Sequence, residues 1–307
     1  MHEKRLLLPF IVILAIVLGI APLIASAYLL HLLITIMAFV TLVESWNIFS
    51  GNTGYILLGS AAFYGIGGYA TATLWPILPI YVIIVVAGIV SAVVAFAVGY
   101  PCLRVRGPYF SILTFGLSQA IMAVVDFWQA RLGSRGIMIK AYDTSIVYYL
   151  IMIVTSTTLL TTYLIRKSRF GVGLVAIKDD EDAAQACGVN TTLYKITAFA
   201  ICAFYSGMAG ALTVARLSYV DPSSIFNPMV SFQTAIMAIF GGTNLLLGPT
   251  IGAILLTSVQ EILFGPTYVY YYSIMLAVIV IALVMFFPYG ISESILQLTR
   301  KPRPQTN

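Results

Sequence analysis

Arg166-Lys-Ser-Arg-Phe-Gly-Val-Gly-Leu-Val-Ala-Ile-Lys-Asp-Asp-Glu-Asp-Ala-Ala-Gln-Ala-Cys-Gly188 is unlike the rest of the chain in its density of charge. Its four consecutive carboxylates, Asp179, Asp180, Glu181 and Asp182, stand at the start of a helix-favouring run, Asp182 to Cys187. Carboxylates at that position complement the exposed N–H groups and the positive dipole end of a helix, and Gly188 fits its stop. The pattern predicts a short helix outside the apolar body of the chain and held close to it. The loop from 166 to 194 is longer than a turn between helices needs, and loops of that kind carry function more often than short connections do. Asp179, Asp180, Glu181, Asp182, Ala183, Ala184 and Gly188 are therefore the candidate docking residues.

On both sides of this stretch the sequence is apolar. Of 307 residues, 60% are hydrophobic and 9% charged, and the mean hydropathy is +0.99. Soluble domains carry about 25% charged residues, so a water-facing surface cannot be made from this composition and the bilayer must act as solvent. A spanning helix needs about 20 mostly apolar residues. Such runs lie near 6–26, 31–50, 54–75, 80–100, 108–127, 145–165, 195–217, 229–247, 248–264 and 268–288, which predicts an all-α polytopic membrane protein with about ten transmembrane helices. The first run follows Lys4 and Arg5 and ends at Ala25-Ser-Ala27, which resembles a signal-peptidase site. It is longer than a signal-peptide core, and it is expected to be a retained span.

Alternating loops divide the basic residues. One side holds Lys4, Arg5, Arg104, Arg106, Arg166, Lys167, Arg169, Lys178, Lys195, Arg300, Lys301 and Arg303; the other holds Arg131, Arg135, Lys140 and Arg216. The positive-inside rule places the richer side, with both termini and the 166–194 loop, in the cytoplasm of a cell-membrane protein. The net charge of +5 thus reports orientation, and no basic stripe with interleaved aromatics suggests nucleic acid. Tyr142, Tyr148 and Tyr149, and Tyr268 to Tyr272, read as interfacial aromatic belts. Cys102, Cys187 and Cys202 lack metal-site spacing and read as small apolar packers.

Within the spans, Glu44 is the residue that asks for an explanation, because a carboxylate at bilayer depth must face a cavity, a partner or a proton. Close to it, Gly51-Asn-Thr-Gly54 resembles Gly241-Gly-Thr-Asn244. Each follows Ile-Phe and each precedes Leu-Leu-Gly. Glycines permit broken helices, and breaks at corresponding places in two halves mark binding sites in transporters; simple turn chemistry between hairpin helices is the other reading. Glu44, Asn47, Gly51, Asn52, Gly54, Gly241 and Gly242 are the candidate pathway residues. Gly59, Ala62, Gly65 and Gly68 form a small-residue face suited to close helix packing.

An enzyme is a weak alternative. Ser118, in Gly116-Leu-Ser-Gln-Ala, lacks the last glycine of a nucleophile elbow, and the histidines are His2 and His31, with no HExxH. An ion-driven carrier or channel would use Glu44 and leave the acidic loop without a role.

Asp182-Ala-Ala-Gln-Ala-Cys-Gly188 resembles the EAA-xxx-G signature of ABC-importer permeases, with Asp in place of Glu. Asn47 to Phe63, Leu103-Arg-Val-Arg-Gly107, Ser168-Arg-Phe-Gly171, Asp221-Pro-Ser-Ser224 and Gly241-Gly to Gly248-Pro249 resemble the branched-chain amino acid (LivM-like) branch, in that family's order over about residues 40–265. The resemblance implies one transmembrane permease domain, 1–307, of type II-like architecture, with 166–194 as its coupling loop. It implies a second permease subunit, two cytoplasmic ATPases that receive the short helices, and an extracytoplasmic substrate-binding protein. The implied cargo is branched-chain or other neutral amino acids, with urea, short amides or sugars as alternatives. No lysine follows a glycine, so the chain carries no Walker A loop, no cofactor is expected in it, and ATP is expected on partner subunits.

Overall fold

The computed structural model of the chain describes residues 26–264 apart from 132, 134, 135 and 244–246, together with positions 19, 22 and 278. Nearly all of the expected first and last spans, Arg135, Tyr268 to Tyr272 and the basic residues of both termini lie outside the described residues.

The described chain is mostly helical. Helix α1, Ala27–Trp46, passes into a π-helical turn, Asn47–Gly51. There follow α2 (Ser60–Leu74), α3 (Ile80–Cys102), α4 (Pro108–Arg131), α5 (Thr144–Lys167), α6 (Arg169–Asp179), α7 (Glu181–Ala186), α8 (Thr191–Val214), α9 (Pro222–Ile225), α10 (Pro228–Gly241) and α11 (Gly248–Phe264). Six described segments are long and apolar enough to cross a bilayer: Ala27–Gly51, Ile80–Cys102, Pro108–Arg131, Thr144–Lys167, Thr191–Val214 and Pro222–Gly241. Helices α2 and α11 have 15 and 17 residues. At 1.5 Å per residue that is roughly 22 and 26 Å, short of the ~30 Å hydrocarbon core.

Side-chain contacts fix the direction of each helix. The ends of α1, α3, α5 and α10 meet the 166–194 region, through Lys178 to Gly51, Arg106 to Asp182 and Arg166 to Thr243. Helices α2, α4, α8 and α11 run the other way; Tyr28 at the start of α1 reaches the carbonyl of Glu261 near the end of α11. The chain therefore crosses back and forth between a loop face and an opposite face. Arg104, Arg106, Arg166, Lys167, Arg169, Lys178 and Lys195 fall on the loop face, and Arg131, Lys140 and Arg216 on the other.

The fold is inside-out by the standard of a soluble protein. Ile89, Val93 and Phe96 of α3 and Ile112, Val124 and Phe127 of α4 are exposed, whereas Thr41, Glu44, Ser45, Thr158, Ser206 and Thr234 are buried. Lipid tails give helices no hydrophobic reason to associate, so close packing and buried hydrogen bonds must hold them. Both are present. A Cβ on Gly67 would lie 2.0 Å from the carbonyl oxygen of Gly207, so α2 and α8 touch backbone to backbone. Ser45 and Ser206 hydroxyls bond at 3.0 Å, and those of Thr41 and Thr155 at 2.9 Å.

Four expectations are corrected. The run 54–75 is not one helix: residues 55–59 are non-helical and α2 begins at Ser60. A pair of two-residue strands, β1 (Ile137–Met138) and β2 (Tyr219–Val220), pairs antiparallel on the opposite face. Tyr148 is fully buried rather than interfacial. Cys102 and Cys202 are buried as packers, but Cys187 is exposed at the end of α7.

Candidate functional site

The 166–194 loop is more ordered than its sequence suggests. Ser168 caps α6, accepting from Gly171 N at 3.2 Å. Glycine is needed at Gly171 and Gly173 for a packing reason: a Cβ there would meet the Ile165 carbonyl oxygen at 2.1 Å and the Tyr194 ring at 2.4 Å. Phe170 also packs on Tyr194, ring centroids 5.0 Å apart, so α6 lies against the start of α8.

Asp180 separates α6 from α7. Its backbone is extended, and its carboxylate accepts from the N–H groups of Asp182 and Ala183, both at 2.9 Å. The expected helix is thus present, with its first residue at Glu181. At the other end, Gly188 has φ +89°, and Gly188 N donates to Gln185 O while Val189 N donates to Ala184 O. This is a Schellman stop, which left-handed backbone makes natural for glycine.

The acidic row is largely consumed inside the molecule. Asp180 is spent on the cap. Glu181 turns inward: Lys195 Nζ donates to it at 2.5 Å and the Tyr55 hydroxyl at 2.5 Å, with Arg106 Nε 3.9 Å away. Burial pushes the Glu181 carboxyl up, and Lys195, Tyr55 and Arg106 outweigh that effect, so it is held below its ordinary value. Asp182 takes a bidentate pair of bonds from Arg106, at 3.1 and 2.9 Å, which holds its carboxyl below the usual range as well. Ala184 is buried, leaving Asp182, Ala183, Gln185, Ala186 and Cys187 as the outward face of α7. On α6, Val172, Val175, Lys178 and Asp179 are exposed.

The candidate pathway residues gather at two chain breaks. At the first, the π turn widens the helix, and Asn52 closes it by donating to the carbonyls of Asn47 and Ile48 at 3.1 and 3.0 Å. π turns inserted in α-helices are frequent at functional sites. Gly54 then reverses the chain at φ +76°. The stretch that follows is non-helical, and backbone of that kind is tolerated at membrane depth only when protein satisfies it. Its partners, and those of the α2 start that follows it, lie outside it in the chain. Trp46 Nε1 donates to Leu57 O at 2.8 Å, Leu57 N to Ser50 Oγ at 3.1 Å, Ser111 Oγ to Ile56 O at 2.8 Å, and Ala61 N to Ser231 Oγ at 2.8 Å. Phe49 anchors the turn against Phe110 and Phe199, with centroids 5.6 and 5.2 Å away.

The second break follows α10. Gly242 has φ +92°, and α11 turns back so tightly that a Cβ on Gly241 would stand 2.0 Å from Gly248 O. The two breaks lie against each other: a Cβ on Gly51 would be 3.5 Å from Thr243 Cβ. Glu44, fully buried, accepts from Thr250 Oγ1 at 2.5 Å. Its Oε2 and both amide atoms of Asn47 have no hydrogen-bond partner among the described residues. A cavity of about 510 Å³ opens from the loop face to the breaks, lined by Gly51, Asn52, Arg166, Lys178, Asp179 and Thr243 among others.

Glu44, Asn47, Gly51, Asn52, Gly241 and Gly242 are thus brought into one region, and Gly54 packs on Lys178. The docking residues and the pathway residues, read separately in the sequence, turn out to be joined by Tyr55, Arg106, Arg166, Lys178 and Lys195. Sequence reasoning missed these as site residues. A signal existed for Lys195, which enters an otherwise apolar span and ends 3% exposed; a buried cation in such a place calls for a partner. Ser118 is buried in α4, and its hydroxyl has no partner among the described residues.

A family profile described as the permease component of the branched-chain amino acid transport system matches residues 28–287. The high-affinity branched-chain amino acid transport system permease protein LivM of Salmonella typhimurium is 26% identical over 296 residues, covering 83% of this chain and 68% of the relative. LivM of Escherichia coli K12 matches to the same extent. The fructose import permease protein FrcC of Rhizobium meliloti is 22% identical over 274 residues, covering 75% of this chain and 76% of the relative. No solved structure matches.

Proposed function

The chain belongs to the branched-chain amino acid transport system permease family, and from that premise we propose that it forms part of the pore of an ATP-driven importer of branched-chain or other neutral amino acids. It is an integral membrane permease subunit and not itself an enzyme. The observation that carries the reading is the physical link between the two sets of candidate residues. Helix α7 is pinned through Glu181 to Tyr55, four residues past the π turn, and α6 is pinned through Lys178 to Gly51 O.

In this reading α6 and α7 are the foot that rests on an ATPase, with Asp179, Asp182, Ala183, Gln185 and Ala186 facing it and Asp180, Glu181, Ala184 and Gly188 keeping its shape. ATP is bound by two separate ATPase subunits. A second permease subunit completes the pore, and an extracytoplasmic binding protein delivers the solute. The loop face is cytoplasmic because it is the more basic one. About ten spans of a type II-like arrangement then put both termini on that side. Glu44, Asn47, Gly51, Asn52, Gly54, Gly241 and Gly242 line or shape the solute route at the two breaks, where movement of backbone opens or closes it.

A second reading, import of a sugar, has its own support. The fructose permease noted above matches along three quarters of this chain, and the ribose import permease protein RbsC of Escherichia coli K12 is 28% identical over 98 residues. Urea or a short amide would suit the same polar route.

The test is reconstitution of the complete transporter in vesicles with a panel of labelled leucine, isoleucine, valine, alanine, urea, ribose and fructose. ATP-dependent leucine uptake, competed by isoleucine and valine but not by ribose, is the expected result. Sugar uptake with no leucine uptake would favour the second reading. Uptake by this chain with no ATPase present would overturn both.

A further inference from the structure

The two helix breaks are capped from the two ends of one continuous segment, residues 166–178. Arg166 lies in the last turn of α5 and Lys178 in the last turn of α6. Arg166 Nη2 donates to Thr243 O at 2.5 Å, and Lys178 Nζ donates to Gly51 O at 3.0 Å. Each carbonyl lies at a helix break: Gly51 O ends the π turn after α1, and Thr243 O stands one residue beyond Gly242, the C-cap of α10. Carbonyls at such ends have no partner within the helix and sit at the negative end of its dipole, so a cation satisfies them best. The caps are neighbours across the 510 Å³ cavity, to whose lining Gly51, Thr243, Arg166 and Lys178 all contribute.

The same segment is tied to the foot. Lys178 is two residues from Asp180, the cap of α7, and the Lys178 stem lies 3.2 Å from where a Cβ on Gly54 would stand. Arg166 is two residues from Ser168, the cap of α6. Arg166 lies just before α6 and Lys178 in its last turn, so a movement of α6 that carries the last turn of α5 with it cannot leave both caps intact.

We infer that Arg166 and Lys178 are positioning residues that transmit movement of the α6–α7 foot to both helix breaks at once. A change of state needs contacts that differ between the two states. These two charge-assisted bonds supply them: closed caps hold both breaks to the 166–178 segment, and displacement of α6 together with the last turn of α5 hands both carbonyls to the water of the cavity. The assignment rests on the importer reading above and adds to it which bonds carry the stroke.

The experiment uses the full transporter in vesicles, with Lys178→Met, Arg166→Met, the conservative Lys178→Arg and Arg166→Lys, and two readouts in the same sample: ATP hydrolysis and uptake of labelled leucine. Each methionine variant is expected to keep hydrolysis near wild type and to lower leucine moved per ATP by about tenfold, the size of one lost charge-assisted hydrogen bond. The conservative variants should restore most of the ratio. A parallel fall in hydrolysis and uptake, with the ratio unchanged, overturns the inference, because a merely structural residue would produce it.

A further measurement separates this inference from the choice of solute. Leu247, exposed in the turn before α11, is replaced by cysteine on a Cys187→Ser background, and the modification rate of the new thiol is followed with and without ATP and vanadate. If the wild-type assembly moves no leucine, the substrate reading fails and the thiol decides. A rate that responds to nucleotide in the parent and not in Lys178→Met supports the inference. An equal response in both, or none in either, overturns it.

Discussion

Lys195, buried at the start of α8, reaches Glu181 on α7 with 2.5 Å between Nζ and Oε1. The side chains are 4% and 13% exposed, so this ion pair anchors the foot from beneath while Arg106 and Asp182 meet above it in water. The ammonium also stands over the Tyr55 ring, 4.8 Å from its centroid. Breaking a buried pair by removing one partner leaves an uncompensated charge, whereas an exposed pair contributes little.

Lys195→Met is expected to destabilise the protein by about 3 kcal/mol, and the double variant with Glu181→Gln to recover part of that, since both charges are then gone. Arg106→Ala should cost much less. Unfolding of the purified variants in a mixed-detergent titration checks the order. Equal losses for Lys195→Met and Arg106→Ala would contradict the burial argument.

Acid should loosen the foot. Glu181 is held below its ordinary value by Lys195, Tyr55 and Arg106, which together outweigh the upward push of burial. A group depressed in the folded state contributes stability that is present above its unfolded value, about 4.3 for glutamate, and is lost as pH falls through the folded one. Thermal stability is therefore expected to be flat at neutral pH and to fall in acid below that value. Glu181→Gln should show a shallower fall, as read in melting curves taken against pH.

The first turn of α2, where the chain leaves the non-helical stretch, depends on a distant acceptor. Ser231→Ala would leave the Ala61 N–H buried without its acceptor, at a cost of about 1–3 kcal/mol, whereas Ser231→Thr keeps the oxygen. Melting curves of the two variants check it; equal stability of alanine variant and wild type would refute the role given to Ser231 Oγ.

Cys187 offers a native probe of sidedness, being exposed at the tip of the foot while Cys102 and Cys202 are buried. In intact cells an impermeant maleimide should leave it unmodified, and opening the cells should allow rapid labelling. Labelling from outside would reverse the orientation given above.

Much of the site was legible in the sequence for identifiable reasons. The α7 cap and stop were readable because Asp180 and Gly188 act within a few residues of themselves. Helix α6 was not, because two glycines in its first half, Gly171 and Gly173, argue against a helix locally and are explained only by the Ile165 carbonyl and Tyr194 ring they make room for. The acidic row looked like an outward surface. That Glu181 turns inward could not be seen, since Tyr55 lies 126 residues away.

By itself, the sequence determined the solvent of this protein, because bilayer thickness and the cost of unpaired charge act on any run of about twenty residues regardless of its neighbours. It also determined where the chain breaks, since Gly54 and Gly242 supply backbone that other residues adopt at a cost. Tertiary structure decided how the breaks are satisfied. Tyr55-Ile-Leu-Leu-Gly59 lies inside a run expected to be one helix, and the Trp46 indole, Ser50 Oγ and the distant Ser111 hydroxyl hold it non-helical. It was packing, too, that set the cations of one loop on the open carbonyls of two separate helices, a relationship between residues far apart in the chain that no local pattern encodes.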